Sequence, residues 1–202
     1  VFGATGYTGR KTVAALLQRN IRPVIAGRDR NKLEQLSEMH GGLEFQVADV
    51  SAPQSVRALL NPGDILITTV GPFLRHGQAA LDAALDIGAH YIDSTGEPSF
   101  VRHLVATAHN RAKQRGLIFL PAFGYDYVPG HLAGAAALSA PGPLATRVAI
   151  GYFIAPGRKF RRSQGTNASL FAAALDPGLF WRDGRLVEDF GDGEPVFHSH
   201  GH

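Results

Sequence analysis

Short apolar runs alternate along the chain with longer stretches in which apolar positions recur every three or four residues. Val1-Phe2 opens the series, and Val13, Leu16 and Leu17 predict a helix from Gly9 to about Asn20. Pro23–Gly27 predicts a buried second strand. Asn31–His40 predicts a helix with Leu33, Leu36 and Met39 inward, stopped by Gly41-Gly42. Leu43–Ala48 is the third expected strand, Pro53–Leu60 a helix, and Asp64–Val70 a strand apolar enough to be covered on both faces. Gln78–Ile87 (capped by Gly88), His90–Asp93, Pro98–Arg115 (capped by Gly116) and Leu117–Leu120 continue the alternation, and a helix at Val128–Ser139 closes it.

Six strands separated by five helices predict an α/β fold with a doubly wound parallel sheet of the Rossmann type. Right-handed crossovers put all strand C-termini on one edge, where ligands bind. This unit is expected over residues 1–138. After the linker Ala140-Pro141-Gly142-Pro143, residues 139–202 are expected to begin a second, α+β domain. Its elements would be strands at Arg147–Ala155 and Arg185–Val187 and a helix at Asn167–Leu175.

Gly3, Gly6 and Gly9 fall between the first strand and its helix. The first glycine permits the tight turn, the second lets backbone approach a pyrophosphate, and the third lets the helix pack close to the sheet. The helix N-terminus offers unpaired N–H groups and a positive dipole end to phosphates, and Thr5 and Thr8 add hydroxyls beside Tyr7. A merely structural turn is the alternative. A Walker loop does not fit, because Gly9-Arg10-Lys11-Thr12 breaks its count. Tyr7 and Lys11 have the Tyr-x-x-x-Lys spacing of short-chain dehydrogenases, but they lie inside the phosphate turn, where that catalytic pair does not occur.

The end of the second strand selects the cofactor. Ala26-Gly27-Arg28 places a cation where the 2′-phosphate of NADP would sit, so NADP is expected over NAD. Asp29 keeps NAD as the lesser alternative, although it suits the N-cap of the next helix. Asp49-Val50 ends the third strand. Asp49 is positioned to accept from the adenine amino group and Val50 to pack on its ring, with a local turn as the alternative for Asp49. Val70-Gly71-Pro72-Phe73 ends the fourth strand. There Gly71 would let backbone approach the nicotinamide ribose and Phe73 would wall the ring, a structural turn being the alternative. Ser94 and Thr95, after the fifth strand, are candidates to bond the nicotinamide ribose or amide. Glu97-Pro98 reads as a helix start.

Composition narrows the picture without redirecting it. The 202 residues are 45% apolar and 18% charged, as in ordinary globular proteins. A formal charge of +3, scattered along the chain, does not argue for nucleic acid. The absence of cysteine excludes disulfides and thiolate metal sites, and a cytoplasmic location is expected. No apolar run reaches the ~18 residues of a membrane span, and no signal-peptide pattern is visible. His198, His200 and His202 read as a flexible tail, so no metal centre is expected. His76 and His131 read as surface or capping residues. Arg158, Lys159, Arg161 and Arg162 read as a solvated loop, and Ser163–Thr166 as an ordinary helix cap.

Taken in order, "GATGYTGR", "AGRDRNKL", "TTVGPFLRHG", "HYIDSTGE" and "PAFGYDYVPGHLAG" resemble the saccharopine dehydrogenase-like oxidoreductases, and within them the bacterial branch of trans-acting enoyl reductases. The likeness covers about residues 1–138 and thins beyond, resting there on "SQGTNASL" and "RDGRL". It implies an N-terminal NADP-binding domain, a C-terminal α/β domain that closes over the nicotinamide, and hydride transfer to or from a C=N or C=C bond. Chains of that family begin before the first glycine and run past a point like His202, so a fragment is expected. The segment Gly124–Gly130 resembles the family segment whose aspartate lies near nicotinamide and substrate. Asp126 is therefore the first candidate as orienter or proton relay, with Tyr125 as proton donor or pocket wall. A small-molecule substrate, lipid-like or amino-acid-derived, and a homodimer are the partners expected. A non-catalytic NADP-binding sensor or partner-binding module is the alternative.

Overall fold

A computed structural model of the protein describes residues 1–125, 127–139, 142, 148, 150–151, 178–182 and 185–189. The described elements are α1 (Tyr7–Leu17), β1 (Ile25–Gly27), α2 (Arg30–Met39), β2 (Phe45–Val47), α3 (Pro53–Arg57), β3 (Ile65–Thr68), α4 (Phe73–His76), α5 (Gln78–Ile87), β4 (His90–Asp93), α6 (Pro98–Gln114), β5 (Phe119–Leu120), α7 (Val128–Leu138), β6 (Gly178–Arg182) and β7 (Arg185–Asp189).

The strands β1 and β2 pair in parallel, as do β3, β4 and β5. What joins the two groups is Phe2, which bridges Ala26 on one side and Thr68 on the other, both in parallel. Backbone bonds from Ala26 to Val1 (2.8 Å), Gly3 to Ala26 (2.9 Å), Phe2 to Ile67 (2.8 Å) and Thr69 to Phe2 (2.9 Å) stitch this segment into both neighbours. The resulting order, β2-β1-Phe2-β3-β4-β5, is that of a doubly wound Rossmann sheet. The expected first strand is thus reduced to a single bridging residue in the sheet's centre.

Apolar layers cover both faces. On one, Val13 of α1 and Leu33 and Leu36 of α2 pack with Ile25 and Leu43. On the other, Leu81, Ala84 and Leu85 of α5 and Phe100, Leu104 and Ala108 of α6 pack with Phe2, Leu66 and Tyr91. β1 shows why the strands read as continuous apolar runs: Ile25 belongs to the first layer and Ala26 to the second.

Several expected boundaries shorten, and one element is new. α3 stops at Arg57 rather than Leu60, and α1 at Leu17 rather than Asn20, which turns out of the helix at φ 60. Met39, expected inward, is 65% exposed because α2 ends on it. The turn α4 has no counterpart among the expected elements. Beyond α7, a hairpin of β6 and β7 includes the expected strand at Arg185–Val187. Val148, Ile150 and Gly151 are not in regular structure. The rest of the strand expected at 147–155, the helix expected at 167–175, the residues 158–166 and the histidines of the tail lie outside the described residues. Among the described residues, no helix is long and apolar enough to cross a membrane, and no group of His, Asp or Glu is arranged to hold a metal ion.

Candidate functional site

The glycine turn has the close contacts that its spacing predicts. Gly3 adopts φ +83, and a Cβ there would lie 2.8 Å from Thr69 Oγ1 and 2.9 Å from Val70 Cγ2. A Cβ on Gly9 would lie 2.2 Å from the Gly3 carbonyl and 2.7 Å from Ala4 Cα, so α1 presses directly on the turn. Gly6 is the N-cap of α1, and no side chain caps the first helical turn. Amides at Tyr7, Thr8 and Gly9 therefore begin a helix without a side-chain acceptor, the arrangement that suits a phosphate. The Arg10 Nε donates to the Thr5 carbonyl (3.0 Å), bracing the turn. Tyr7 is 66% exposed, with Lys11 Nζ 5.0 Å from its ring centre.

A cleft of about 660 Å³ runs between α3 and α5 and reaches the residues that follow β1 and β2 and the end of α4. Arg28, Asp49, Val50, Arg75 and His76 are among its lining residues. Asp49 Oδ1 accepts from the backbone and the hydroxyl of Ser51, both at 2.8 Å. Those bonds, with Arg28 and His76 nearby, hold its carboxyl below the usual value of 3.8. Asp49 thus forms a local turn and lines the cleft at once. Asp29 is committed elsewhere: its carboxylate caps α2, accepting from Lys32 N (3.1 Å) and pairing with Lys32 Nζ (2.9 Å). The residue positioned to accept from an adenosine ribose is thereby engaged, while Arg28 lies in the cleft. The donor set of the turn and this cleft fit the diphosphate and the 2′-phosphate of NADP.

The other half of the rim is formed by the turns after β3, β4 and β5. Val70 is half-buried against the glycine turn, and Gly71 is exposed before a cis Gly71–Pro72 bond. Phe73 departs from its expected place at the site mouth. It is 5% exposed, packed 5.7 Å from the ring of Phe100, and so belongs to the core rather than to a nicotinamide wall. α4 starts at Phe73 and turns the side chain inward, which period-based reading of a Pro-Phe dipeptide does not reveal. Ser94 is half-buried, and Gly124 comes so close that a Cβ there would lie 3.3 Å from the Ser94 carbonyl. Tyr125 is 69% exposed beside it. Asp126 lies outside the described residues.

Three polar groups hold this rim: Asp93, which sequence reasoning missed, Glu97, expected only as a helix start, and Thr95, expected to bond the nicotinamide ribose or amide but instead buried and accepting from Glu97 N. Asp93, Thr95 and Glu97 are 1%, 0% and 3% exposed. The signal was present as an alternation, Tyr91-x-Asp93-x-Thr95-x-Glu97, but polar alternation after a strand reads as loop. Glu97 caps α4 from a distance, accepting from Phe73 N (2.8 Å) and Leu74 N (2.9 Å). Asp93 Oδ1 accepts from Thr95 N and Ala122 N, each at 2.9 Å. Its Oδ2 and the Tyr91 hydroxyl, two residues away on the same face of β4, are buried and interact with each other, though neither makes a hydrogen bond of full geometry among the described residues.

Burial pushes the Asp93 carboxyl above its usual 3.8, against the pull of those two amides and of the Tyr91 hydroxyl. A carboxyl raised in the folded state contributes its full stability below its unfolded value, and loses it as pH rises through the folded one. Asp93→Asn removes that titration. Denaturant midpoints of the two proteins are therefore expected to separate above about pH 4, with the variant the more stable. A separation that does not change with pH would show that Asp93 titrates alike in both states.

Comparison with known proteins agrees with this geometry. Residues 1–120 match the model of the saccharopine dehydrogenase NADP binding domain. The chain is 32% identical over 139 residues to a putative trans-acting enoyl reductase of Mycobacterium tuberculosis, covering 66% of this chain and 33% of that one. It is 29% identical over 212 residues to a trans-acting enoyl reductase of Mycobacterium ulcerans, covering 95% of this chain and 51% of the relative. Among solved structures, saccharopine dehydrogenase of Saccharomyces cerevisiae superposes with a TM-score of 0.56 at 15% identity, over 67% of this chain and 29% of that one. The chain thus spans a third to a half of the length of these curated relatives.

Proposed function

The chain belongs to the family of saccharopine dehydrogenase NADP-binding domains, and from that premise we propose that it is the cofactor-holding part of an NADP-dependent oxidoreductase acting on a C=N or C=C bond. The observation that carries this reading is the uncapped α1 N-terminus, together with Arg28 in a cleft at the end of β1 and Asp29 already engaged as a cap. When bound, the dinucleotide supplies or takes up a hydride at its nicotinamide. The chain's own residues then have separable tasks. The amides of the first α1 turn hold the diphosphate, Gly6 keeps a side chain out of its path, and Gly3 and Gly9 let the turn and the helix pack closely behind it. Arg28 pairs with the 2′-phosphate, while Asp49 and Val50 flank the adenine. Val70, Gly71 and Ser94 border the nicotinamide end.

The accompanying proton is assigned to the segment after β5, with Asp126 as relay or orienter and Tyr125 as donor. Relatives named trans-acting enoyl reductase support a lipid-like substrate with a C=C bond over an amino acid.

Titration with NADPH and NADH tests the cofactor assignment. Arg28→Ala is expected to weaken NADPH binding by about 10- to 100-fold, as loss of a charge-assisted phosphate contact does, and to leave NADH unchanged. An unaltered preference in the variant sinks the role of Arg28. NADPH oxidation across a panel of imines and enoyl thioesters tests the chemistry. Binding without any turnover would favour the sensor alternative.

A further inference from the structure

The buried alternation that continues past β4 links three rim turns through side chains. From β4 outward, Asp93 Oδ1 accepts from Thr95 N (2.9 Å), Thr95 Oγ1 accepts from Glu97 N (3.1 Å), and Glu97 reaches across to Phe73 N and Leu74 N. In the other direction, Asp93 Oδ1 accepts from Ala122 N, and the Asp93 carbonyl accepts from Phe123 N (2.8 Å). Ala122 is held at φ 57, a left-handed conformation disfavoured for a residue with a Cβ. Close packing supports the same bridge. A Cβ on Gly77, at the end of α4, would lie 2.5 Å from the Phe100 ring of α6.

We propose that Asp93 and Glu97 are positioning residues that hold the turns after β3 and β5 to the end of β4, and so shape the half of the rim that receives the nicotinamide end of the cofactor. This rests on the NADP reading of the site. Neither carboxylate touches the cofactor. Each acts through backbone amides of a neighbouring turn, and each has a different requirement. Glu97 uses both oxygens as acceptors, so a Gln must turn an NH₂ toward one amide donor. Asp93 uses Oδ1 alone for both turns, and its other oxygen makes no hydrogen bond of full geometry among the described residues. An Asn therefore keeps the brace and an Ala loses it.

The test compares NADPH with 2′-phospho-ADP-ribose, which lacks the nicotinamide, on the chain and on Asp93→Ala, Asp93→Asn and Glu97→Gln. Asp93→Ala and Glu97→Gln are expected to raise the Kd for NADPH about 5- to 10-fold and to reduce the emission shift of bound NADPH. Their Kd for 2′-phospho-ADP-ribose is expected to stay within about 2-fold, and Asp93→Asn to match the unsubstituted chain. Amide exchange at Phe73 and Leu74 should quicken in Glu97→Gln, and at Ala122 in Asp93→Ala, with β4 still protected. Equal losses for both ligands, no loss for either, or failure of Asp93→Asn alongside Asp93→Ala overturns the inference. If Asp93→Ala does not fold, Glu97→Gln decides by the same two constants. An unsubstituted chain that binds neither ligand overturns the NADP reading and this inference with it. Binding by that chain, with parallel losses in the variants, overturns the inference alone.

Discussion

Replacing Gly9 with alanine is expected to abolish NADPH binding and to lower the unfolding midpoint by more than any other single-methyl addition in the turn. The added carbon would lie 2.2 Å from the Gly3 carbonyl and 2.7 Å from Ala4 Cα, and all of the nearest atoms are backbone. No rotamer change relieves such a clash. α1 must lift from the turn, and the amides proposed to hold the diphosphate lift with it. Ordinary overpacking costs about 1–3 kcal/mol, and a backbone clash stands at or above the top of that range. Gly116→Ala is the control. Gly116 has φ +64, but an added methyl would have nothing within 4 Å, so only the left-handed backbone penalty of about 1–2 kcal/mol applies. Thermal unfolding and NADPH titration of both variants check the contrast. A Gly9→Ala protein that binds NADPH as well as Gly116→Ala does would refute the close packing of helix on turn.

Phe2→Ala is expected to cost about 3–5 kcal/mol, the range for emptying a buried aromatic site. Phe2 is 2% exposed and packs in the same apolar layer as Leu66 and Tyr91, at the line where the two halves of the sheet meet. Its backbone bonds to Ile67 and Thr69 on one side, beside those of Gly3 and Val1 on the other, survive the substitution. The loss is therefore that of the side chain, a large share of the roughly 5–15 kcal/mol by which domains are stable. Ile118→Ala, at a position 58% exposed, should stay within about 0.5 kcal/mol. Denaturant unfolding checks both. A Phe2→Ala midpoint near that of Ile118→Ala would mean that the two halves of the sheet are held together by other contacts.

The local half of the site was legible because its chemistry is local. Three glycines at a spacing of three, after apolar residues and before a helical period, describe one turn, and Gly3 and Gly9 have the close contacts that such a turn requires. Asp29 as a cap and Arg28 as the neighbouring cation follow from two adjacent residues at a helix start. Gln78–Ile87 and His90–Asp93 were predicted to the residue, since their apolar periods are clean and Gly88, at φ 89, ends the helix.

The remote half was not legible. Phe73 looked like a ring at a site mouth, and it packs on Phe100, 27 positions along the chain. Glu97 looked like the start of α6, and its carboxylate is spent on the amides of α4. His76 looked like a surface residue, and α4 brings it to the cleft with Arg28 and Asp49. None of these pairings leaves a periodic trace, because each joins groups across separate segments of chain.

By itself, then, the sequence determined the alternation of strands and helices, the close glycine turn before α1 and the cation that follows β1. Each of these depends on residues within one or two turns of chain, where steric and dipolar preferences act directly. Only the tertiary structure decided that Phe2 joins the two halves of the sheet, that Phe73 belongs to the core, and that Asp93 and Glu97 tie the rim together. Buried carboxylates are stable only where they find donors, and those donors are supplied by segments that folding alone brings within reach.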